Sequence, residues 1–112
     1  MALQKFRTNI AELCGLNAAV TAEILWEHFD EQMANGDTEA HFGYDWCRCS
    51  QAMIAVISGF CLSKHMVKDA INELIERDII RKDCFNDSRF DRTNWYTFTE
   101  YGVRLMMEGE EV

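Results

Sequence analysis

The chain has 112 residues, with 11 lysines and arginines against 19 aspartates and glutamates, and a formal net charge of −8 at pH 7. This length suits a single domain over residues 1–112, for which we expect a core of about residues 16–107. No apolar run approaches the roughly 18 residues of a membrane span, and the amino terminus lacks the apolar core of a secretory signal, so we expect a cytoplasmic protein without a membrane partner.

The first long helix is predicted over residues 17–35, where strong helix formers carry apolar side chains at helical spacing. Asn17 or Thr21 is the expected N-terminal cap, and Gly36 is the expected end of the helix. Paired carboxylates are one interpretation of the acidic residues on this helix, and an ordinary solvated face is the default. These residues are Glu23, Glu27, Asp30 and Glu31.

A strand and a short helix are predicted next. Within residues 40–49, aromatic side chains occupy every second position from 42 to 46, which is the period-2 pattern of a strand with one buried face. Ser50 then caps an apolar helix over residues 51–57. Residues 60–62 form the turn to the following helix.

The clearest helical pattern begins after Ser63, whose hydroxyl is a suitable N-terminal cap. Apolar side chains recur there at positions i, i+3, i+4, i+7 and i+8 and predict one buried stripe. The stripe consists of Val67, Ala70, Ile71, Leu74 and Ile75. The opposite face must then point outward, and it carries Lys64, His65, Lys68, Asp69, Asn72 and Glu76.

A β-hairpin with a long tip is predicted after this helix. Residues 79–85 and 95–99 are rich in β-branched and aromatic side chains, and the polar loop 86–94 joins them. Thr99 is the expected cap of a last helix over residues 100–107. The aromatic side chains expected to pack the sheet on the helices are Trp46, Trp95, Tyr96 and Phe98, with base stacking as an alternative for Trp95.

The order of these elements is helix, strand, helix, helix, strand, strand, helix. In this order, one helix leads directly into another, and a two-stranded hairpin follows. We therefore predict an α+β fold, a winged helix-turn-helix that is mainly helical with a small antiparallel β-sheet as its wing.

Five segments between Leu16 and Phe98 carry a family resemblance: residues 17–33, WCRCS at 46–50, FCLSK at 60–64, LIERDII at 74–80 and DRTNWY at 91–96. The last of them is the most specific. In these segments the chain resembles the N-terminal winged-helix domain of phage and plasmid replication initiators of the replisome-organiser type. The resemblance implies binding of double-stranded DNA in replication initiation or its regulation. It also places Asp78 where a left-handed residue, usually glycine in the family, ends the helix.

Nine residues are candidates for DNA contact. A recognition helix lies in the major groove, where its first outward residues reach base edges. On this helix they are Ser63, Lys64, His65, Lys68 and Asn72. The wing would bring Arg89 and Arg92 to neighbouring phosphates, and Arg81 and Lys82 would add backbone contacts that carry no sequence information. The alternative is that these are ordinary solvated charges.

The charge distribution leaves two further classes of function open. Residues 60–94 hold seven basic and seven acidic side chains, whereas the rest of the chain is acidic. A polyanion is therefore bound only if the cations cluster on one face. The alternatives are an acidic winged-helix module that docks a replication or regulatory protein, and a transcriptional regulator. A homodimer through the helices at 17–33 and 100–107 is also possible for a reader of two-fold DNA sites.

The cysteines and histidines favour no catalytic or metal chemistry. Five cysteines at irregular spacing argue against a disulfide framework and favour free thiols in a reducing compartment. Cys47 and Cys49 are too close together for a typical zinc pair, so core thiols are favoured over a metal or redox sensor. His28 and His41 are isolated from any nucleophile. We therefore expect a protein that is not an enzyme and has no cofactor.

Overall fold

A computed structural model of the protein describes residues 5–59 and 61–110, so Phe60 of the predicted turn lies outside the described residues. Within these ranges the fold is α+β, with five helices and four strands. The helices are α1 (Thr8–Cys14), α2 (Leu16–Asn35), α3 (Gln51–Ile57), α4 (Lys64–Glu76) and α5 (Glu100–Glu108). The strands are β1 (Glu39–His41), β2 (Tyr44–Arg48), β3 (Ile80–Asp83) and β4 (Trp95–Phe98). None of these helices is long and apolar enough to cross a membrane.

The four strands form one antiparallel sheet in the order β1-β2-β4-β3. Strand β2 pairs with β4 through Cys47 and Tyr96, although α3, α4 and β3 lie between them in the chain. Strand β3 pairs with the other side of β4, where Lys82 is opposite Tyr96. The sheet therefore joins the two hairpins, β1–β2 and β3–β4, side by side.

Both faces of β4 are covered, which explains why all four of its residues are buried. Tyr96 and Phe98 join the helical core, and the Phe98 ring meets the Trp26 ring of α2 edge to face at 5.1 Å. Because neighbouring strand residues point to opposite faces, Trp95 lies on the other side of the sheet. There Trp95 and Trp46 pack under Phe85, with ring centroids 6.2 and 5.2 Å from it. The prediction that all four aromatics pack on the helices is thus wrong for the two tryptophans.

The predicted single strand over residues 40–49 is wrong, because the chain reverses at Phe42 and Gly43. Both residues have positive φ, 55° and 82°, which is the signature of a two-residue hairpin turn of the I′ type. Phe42 is consequently at a tip and 79% exposed, whereas Trp46 on β2 is 3% exposed. The alternating aromatics belong partly to a strand and partly to a turn.

The start of α2 also differs from the prediction. The helix begins at Leu16, and neither Asn17 nor Thr21 caps it. Thr21 is buried within the helix, where its hydroxyl donates to the Asn17 carbonyl at 2.8 Å. Gly36 ends the helix as predicted, with a left-handed φ of 73°.

The amino-terminal helix α1 is not predicted from the sequence. Ile10 of α1 is fully buried in the core, and Arg7 just ahead of it donates to the Glu23 carboxylate at 3.1 Å. Glu23 is only 3% exposed, so it does not belong to a solvated acidic face. It is instead a buried anion held by an arginine.

The second half of the chain confirms the predicted elements. The hydroxyls of Ser50, Ser63 and Thr99 each accept an amide hydrogen bond as N-terminal caps. The α4 stripe is buried apart from Ile75, which is half-buried. Asp78 has φ 59°, and the Ile79 amide donates to the Leu74 carbonyl at 3.0 Å. This is a Schellman ending with aspartate at the left-handed position.

Candidate nucleic-acid interface

The outward face of α4 presents its polar side chains to solvent, because the buried stripe fixes the rotation of the helix. Lys64, His65, Lys68 and Asn72 are all exposed. Ser63 is exposed as well, and its Oγ accepts the Met66 amide at 3.1 Å. The five residues predicted on this helix thus lie on one accessible surface that runs from the cap along the first two to three turns.

The loop of the β3–β4 hairpin, residues 84–94, is held together by Asn86. Its Nδ2 donates to the carbonyls of Asp91 and Thr93 at 2.9 and 2.8 Å. Its Oδ1 accepts the Trp95 indole N–H at 2.8 Å. One amide side chain therefore ties the returning half of the loop to a buried tryptophan, which limits the shapes that the loop can take.

A second tie connects this loop to β2. The Arg48 guanidinium donates to the Asp91 carboxylate, which also accepts the Thr93 amide at 3.0 Å. Hydrogen bonds from Thr93, and secondarily the Arg48 charge, lower the pKa of Asp91. The carboxylate is therefore ionised at neutral pH and turned towards its own partners.

A cleft of about 500 Å³ lies between the start of α4, the start of α3 and this loop. Lys64 lines it from the helix side, and Arg92 lines it from the loop side. Gln51, Thr93 and Asn94 add polar groups to its wall. The structure thus brings together two of the predicted cations that are 28 positions apart in sequence, across a space open to solvent.

Three acidic side chains near this surface have a basic partner, whereas four of its cations have no acidic one among the described residues. Asp69 Oδ2 lies 3.4 Å from His65 Nε2. The Glu73 carboxylate accepts a hydrogen bond from Arg77 Nε at 3.1 Å. The Asp91 carboxylate accepts one from Arg48. Over residues 5–59 and 61–110, no carboxylate lies within salt-bridge distance of the remaining cations of the helix and loop. These cations are Lys64, Lys68, Arg89 and Arg92. The cleft is therefore lined by two cations that have no carboxylate partner in these ranges, Lys64 and Arg92, and by Asp91, which is paired with Arg48.

Arg81 and Lys82 lie elsewhere. They line a hollow of about 490 Å³ with Phe42, Tyr44 and Ile75, between the β1–β2 turn and the end of α4. The Arg81 guanidinium sits 5.4 Å from the centre of the Tyr44 ring, within cation–π range. Of the nine predicted contact residues, Lys64 and Arg92 thus line the cleft, Arg81 and Lys82 line the hollow, and the other five line neither space.

Phe90 is the residue of this surface that sequence analysis missed. It is 82% exposed at the tip of the loop, it lines the cleft with Lys64 and Arg92, and the Arg89 guanidinium lies 5.2 Å from its ring centre. The available signal was one large apolar side chain between Arg89 and Arg92 within the otherwise polar residues 86–94.

The thiols have no comparable arrangement. The five cysteines are free, with Cys47 and Cys49 buried and Cys61 and Cys84 exposed. Burial, reinforced for Cys47 by the Cys49 thiol, raises the pKa of each to about 12, so both are neutral at physiological pH. Among the residues that the structure describes, no three histidine, cysteine or acidic side chains are grouped to hold a metal ion.

The cleft brings the start of α4 next to the 84–94 loop, with Lys64 on one side and Phe90 and Arg92 on the other. Comparison of the chain with protein-family models, with curated proteins and with solved structures finds no match.

Proposed function

We propose that the protein is a winged helix-turn-helix that binds double-stranded DNA through α4 and the 84–94 loop. The observation that carries the proposal is the cleft with Lys64 on one wall and Arg92 on the other, free of carboxylate partners among the described residues. The topology supports it. The order α2, β2, α3, α4 and the β3–β4 hairpin, with β4 between β2 and β3, is compatible with a winged helix.

In this proposal the first turns of α4 enter the major groove. Lys64, Lys68 and Asn72 then face base edges, where lysine suits guanine acceptors and asparagine suits adenine. Arg89 and Arg92 contact phosphates from the loop, which acts as the wing. Arg81 and Lys82, in their separate hollow, have at most an outer electrostatic role.

The net charge of −8 sets the expected character of binding. Duplex DNA is repelled by most of the surface, so attraction is confined to the cleft and falls steeply with salt. The biological setting that we propose, from the family resemblance, is replication initiation or its regulation in a phage or plasmid. In this setting the protein acts in the cytoplasm by binding and not by catalysis, as a monomer or homodimer.

The test is a fluorescence anisotropy titration with random-sequence duplex DNA from low to physiological salt. The Lys64→Ala, Arg92→Ala double variant should bind more weakly, and its salt slope should fall by about 0.9 for each phosphate that the variant no longer neutralises. The matched control is Arg81→Ala, Lys82→Ala, which removes the same charge from the hollow and should change the slope little. No saturable binding by the wild type at low salt, or equal effects of both variants, would overturn the proposal.

A protein-docking module is the second candidate, and one observation favours it. Phe42 is 79% exposed at the rim of the hollow, where Tyr44, Trp46 and Ile75 add apolar surface beside the charged Arg81, Lys82 and Asp83. Exposed apolar surface of this kind commonly marks contact with a partner protein. This candidate predicts that Phe42→Ala removes partner binding while the protein shows no affinity for duplex DNA.

A further inference from the structure

We propose that Phe90 is a wedge that enters the minor groove and unstacks a base step when the protein binds duplex DNA. The inference rests on the proposed function and adds a residue with a specific task to it. Phe90 is the apolar tip of the wing, and binding to phosphates alone does not require an apolar side chain there.

Phe90 is exposed in the free protein and has a basic neighbour. The ring is 82% exposed, so it does not contribute to the core of the free protein. It stands beside Arg89, whose guanidinium is 5.2 Å from the ring centre, and two residues before Arg92. Proteins that unstack base steps insert apolar side chains of this type into the minor groove, accompanied by arginines that the narrow groove attracts.

Phe90 lies across the cleft from the start of α4. One sugar-phosphate strand separates the major groove from the minor groove. If α4 occupies the major groove and the strand lies in the cleft between Lys64 and Arg92, the opposite wall of the cleft is on the minor-groove side. Phe90 belongs to that wall. Insertion of its ring thus follows from the same docking that places α4.

Hydrogen bonds and an ion pair hold the loop that carries the Phe90 ring. The Asn86 bonds to the Asp91 and Thr93 carbonyls and the Arg48–Asp91 ion pair flank Phe90 directly on its C-terminal side. A wedge must resist the stacking that it replaces, and a loop fixed by hydrogen bonds does so better than a mobile one. The loop is therefore built to hold an exposed ring in place.

The chain offers a matched control. Phe42 is 79% exposed at the tip of the other hairpin, but it lies in the hollow and not in the cleft. Phe42→Ala and Phe90→Ala thus remove the same side chain from equally exposed positions. Phe90→Ala should keep the urea midpoint of the wild type. Phe42→Ala should change it only through the left-handed backbone conformation that residue 42 adopts in its turn.

The experiment measures affinity for a random-sequence duplex and for the same duplex with one central mismatch, by anisotropy over a range of salt. A wedge binds the mismatched duplex more tightly, because the mismatch has already lost stacking. Phe90→Ala should weaken binding by on the order of tenfold, the size of a base–aromatic contact, and abolish the preference for the mismatch. Because the ring is uncharged, the salt slope should not change. Phe90→Trp should retain the preference, and Phe42→Ala should behave as the wild type.

Two failures are distinguishable. If the wild type does not bind duplex DNA at low salt, the proposed function itself fails. If the wild type binds with the expected salt slope but Phe90→Ala matches it on both duplexes, DNA binding stands and the wedge is overturned. Equal losses in Phe90→Ala and Phe42→Ala would also overturn it.

Discussion

The two hairpins of the sheet end in similar residues but in different surroundings. The β1–β2 hairpin reverses in two residues and exposes Phe42, whereas the β3–β4 hairpin has the long 84–94 loop and exposes Phe90. Phe42 lies next to a hollow that Arg81 and Lys82 also line. Phe90 shares its cleft with Lys64 at the start of α4 and with Arg92. Both tips thus expose an aromatic ring near cations, and the start of α4 beside the ring distinguishes the candidate DNA contact.

The hairpins also share a support on the outer face of the sheet. The Phe85 ring, at the base of the long loop, stacks on His41 at 3.8 Å and 8° and touches Trp46 and Trp95 edge to face. The short hairpin therefore acts as a platform for the long one. Changes at three places in the two hairpins should alter the free energy of unfolding, from the largest effect to the smallest.

The largest effect is expected from Trp95→Ala. Trp95 is 6% exposed and donates its indole N–H to Asn86, so its removal leaves a cavity and frees the loop. The free energy of unfolding should fall by about 3–5 kcal/mol, measured by urea denaturation. Phe90→Ala is the control and should change stability by no more than about 0.5 kcal/mol. A loss below about 1 kcal/mol for Trp95→Ala would show that the outer cluster does not support the wing.

The next effect concerns the cysteines of the two hairpins. Cys47 on β2 and the adjoining Cys49 are buried and have pKa values raised to about 12, whereas Cys84 at the base of the wing is exposed. A folded-state pKa above the unfolded one gives stability that is complete below the unfolded pKa and is lost as pH rises towards the folded one. Stability should therefore fall above about pH 9, by up to about 1.4 kcal/mol per thiol per pH unit.

Urea midpoints at pH 8 and pH 10 test this effect. The Cys47→Ala, Cys49→Ala variant should lose much less stability between the two pH values than the wild type does. Cys84→Ala is the control for loss of a thiol, because it removes one that is exposed in the folded state. If the double variant loses as much stability between pH 8 and pH 10 as the wild type does, titrating groups other than these two thiols cause the loss.

The smallest effect is expected at the tip of the short hairpin. Phe42 has φ 55°, a left-handed conformation that asparagine adopts more readily than phenylalanine. Phe42→Asn creates the Asn-Gly pair preferred in I′ turns, and it should raise the free energy of unfolding by about 1 kcal/mol. Phe90 has no such backbone conformation, so Phe90→Asn should give no gain. Equal changes at both tips would contradict the assigned turn.

The elements with local signals are the ones that the sequence predicts well. Ser63 caps α4, the stripe from Val67 to Leu74 sets its buried face, and Asp78 takes the left-handed position at its end. Each of these signals lies within a few residues of the structure that it determines. They carry the prediction of α4 and of the hairpin after it.

The missed elements depend on distant contacts. Helix α1 has seven residues and no side-chain cap, and it is held by Ile10 in the core and by Asn9, which donates to the Leu105 carbonyl at 2.8 Å. The turn at Phe42 lacks the asparagine or aspartate that is preferred at the first position of an I′ turn. In both places tertiary packing overrides a weak local preference.

The sequence predicts which residues the candidate interface contains, but it does not predict which of them come together in space. The sequence indicates which faces carry Lys64 and Arg92, but their meeting across a cleft depends on how the Asn86 side chain folds the loop. The separation of Arg81 from them depends on the register of β3 against β4. Phe90 was missed because its position in the cleft opposite Lys64 depends on the fold and not on its neighbours in the sequence.

The most direct test of the central claim is a map of amide chemical shifts of the ¹⁵N-labelled protein as random duplex DNA is added at low salt. DNA binding at the cleft predicts that shifts concentrate in residues 63–72 and 89–94, while residues 39–44 of the short hairpin stay unchanged. These shifts should reverse on addition of salt. Shifts that centre on the β1–β2 hairpin, or no shifts at any DNA concentration, would contradict a DNA-binding surface built by α4 and the wing.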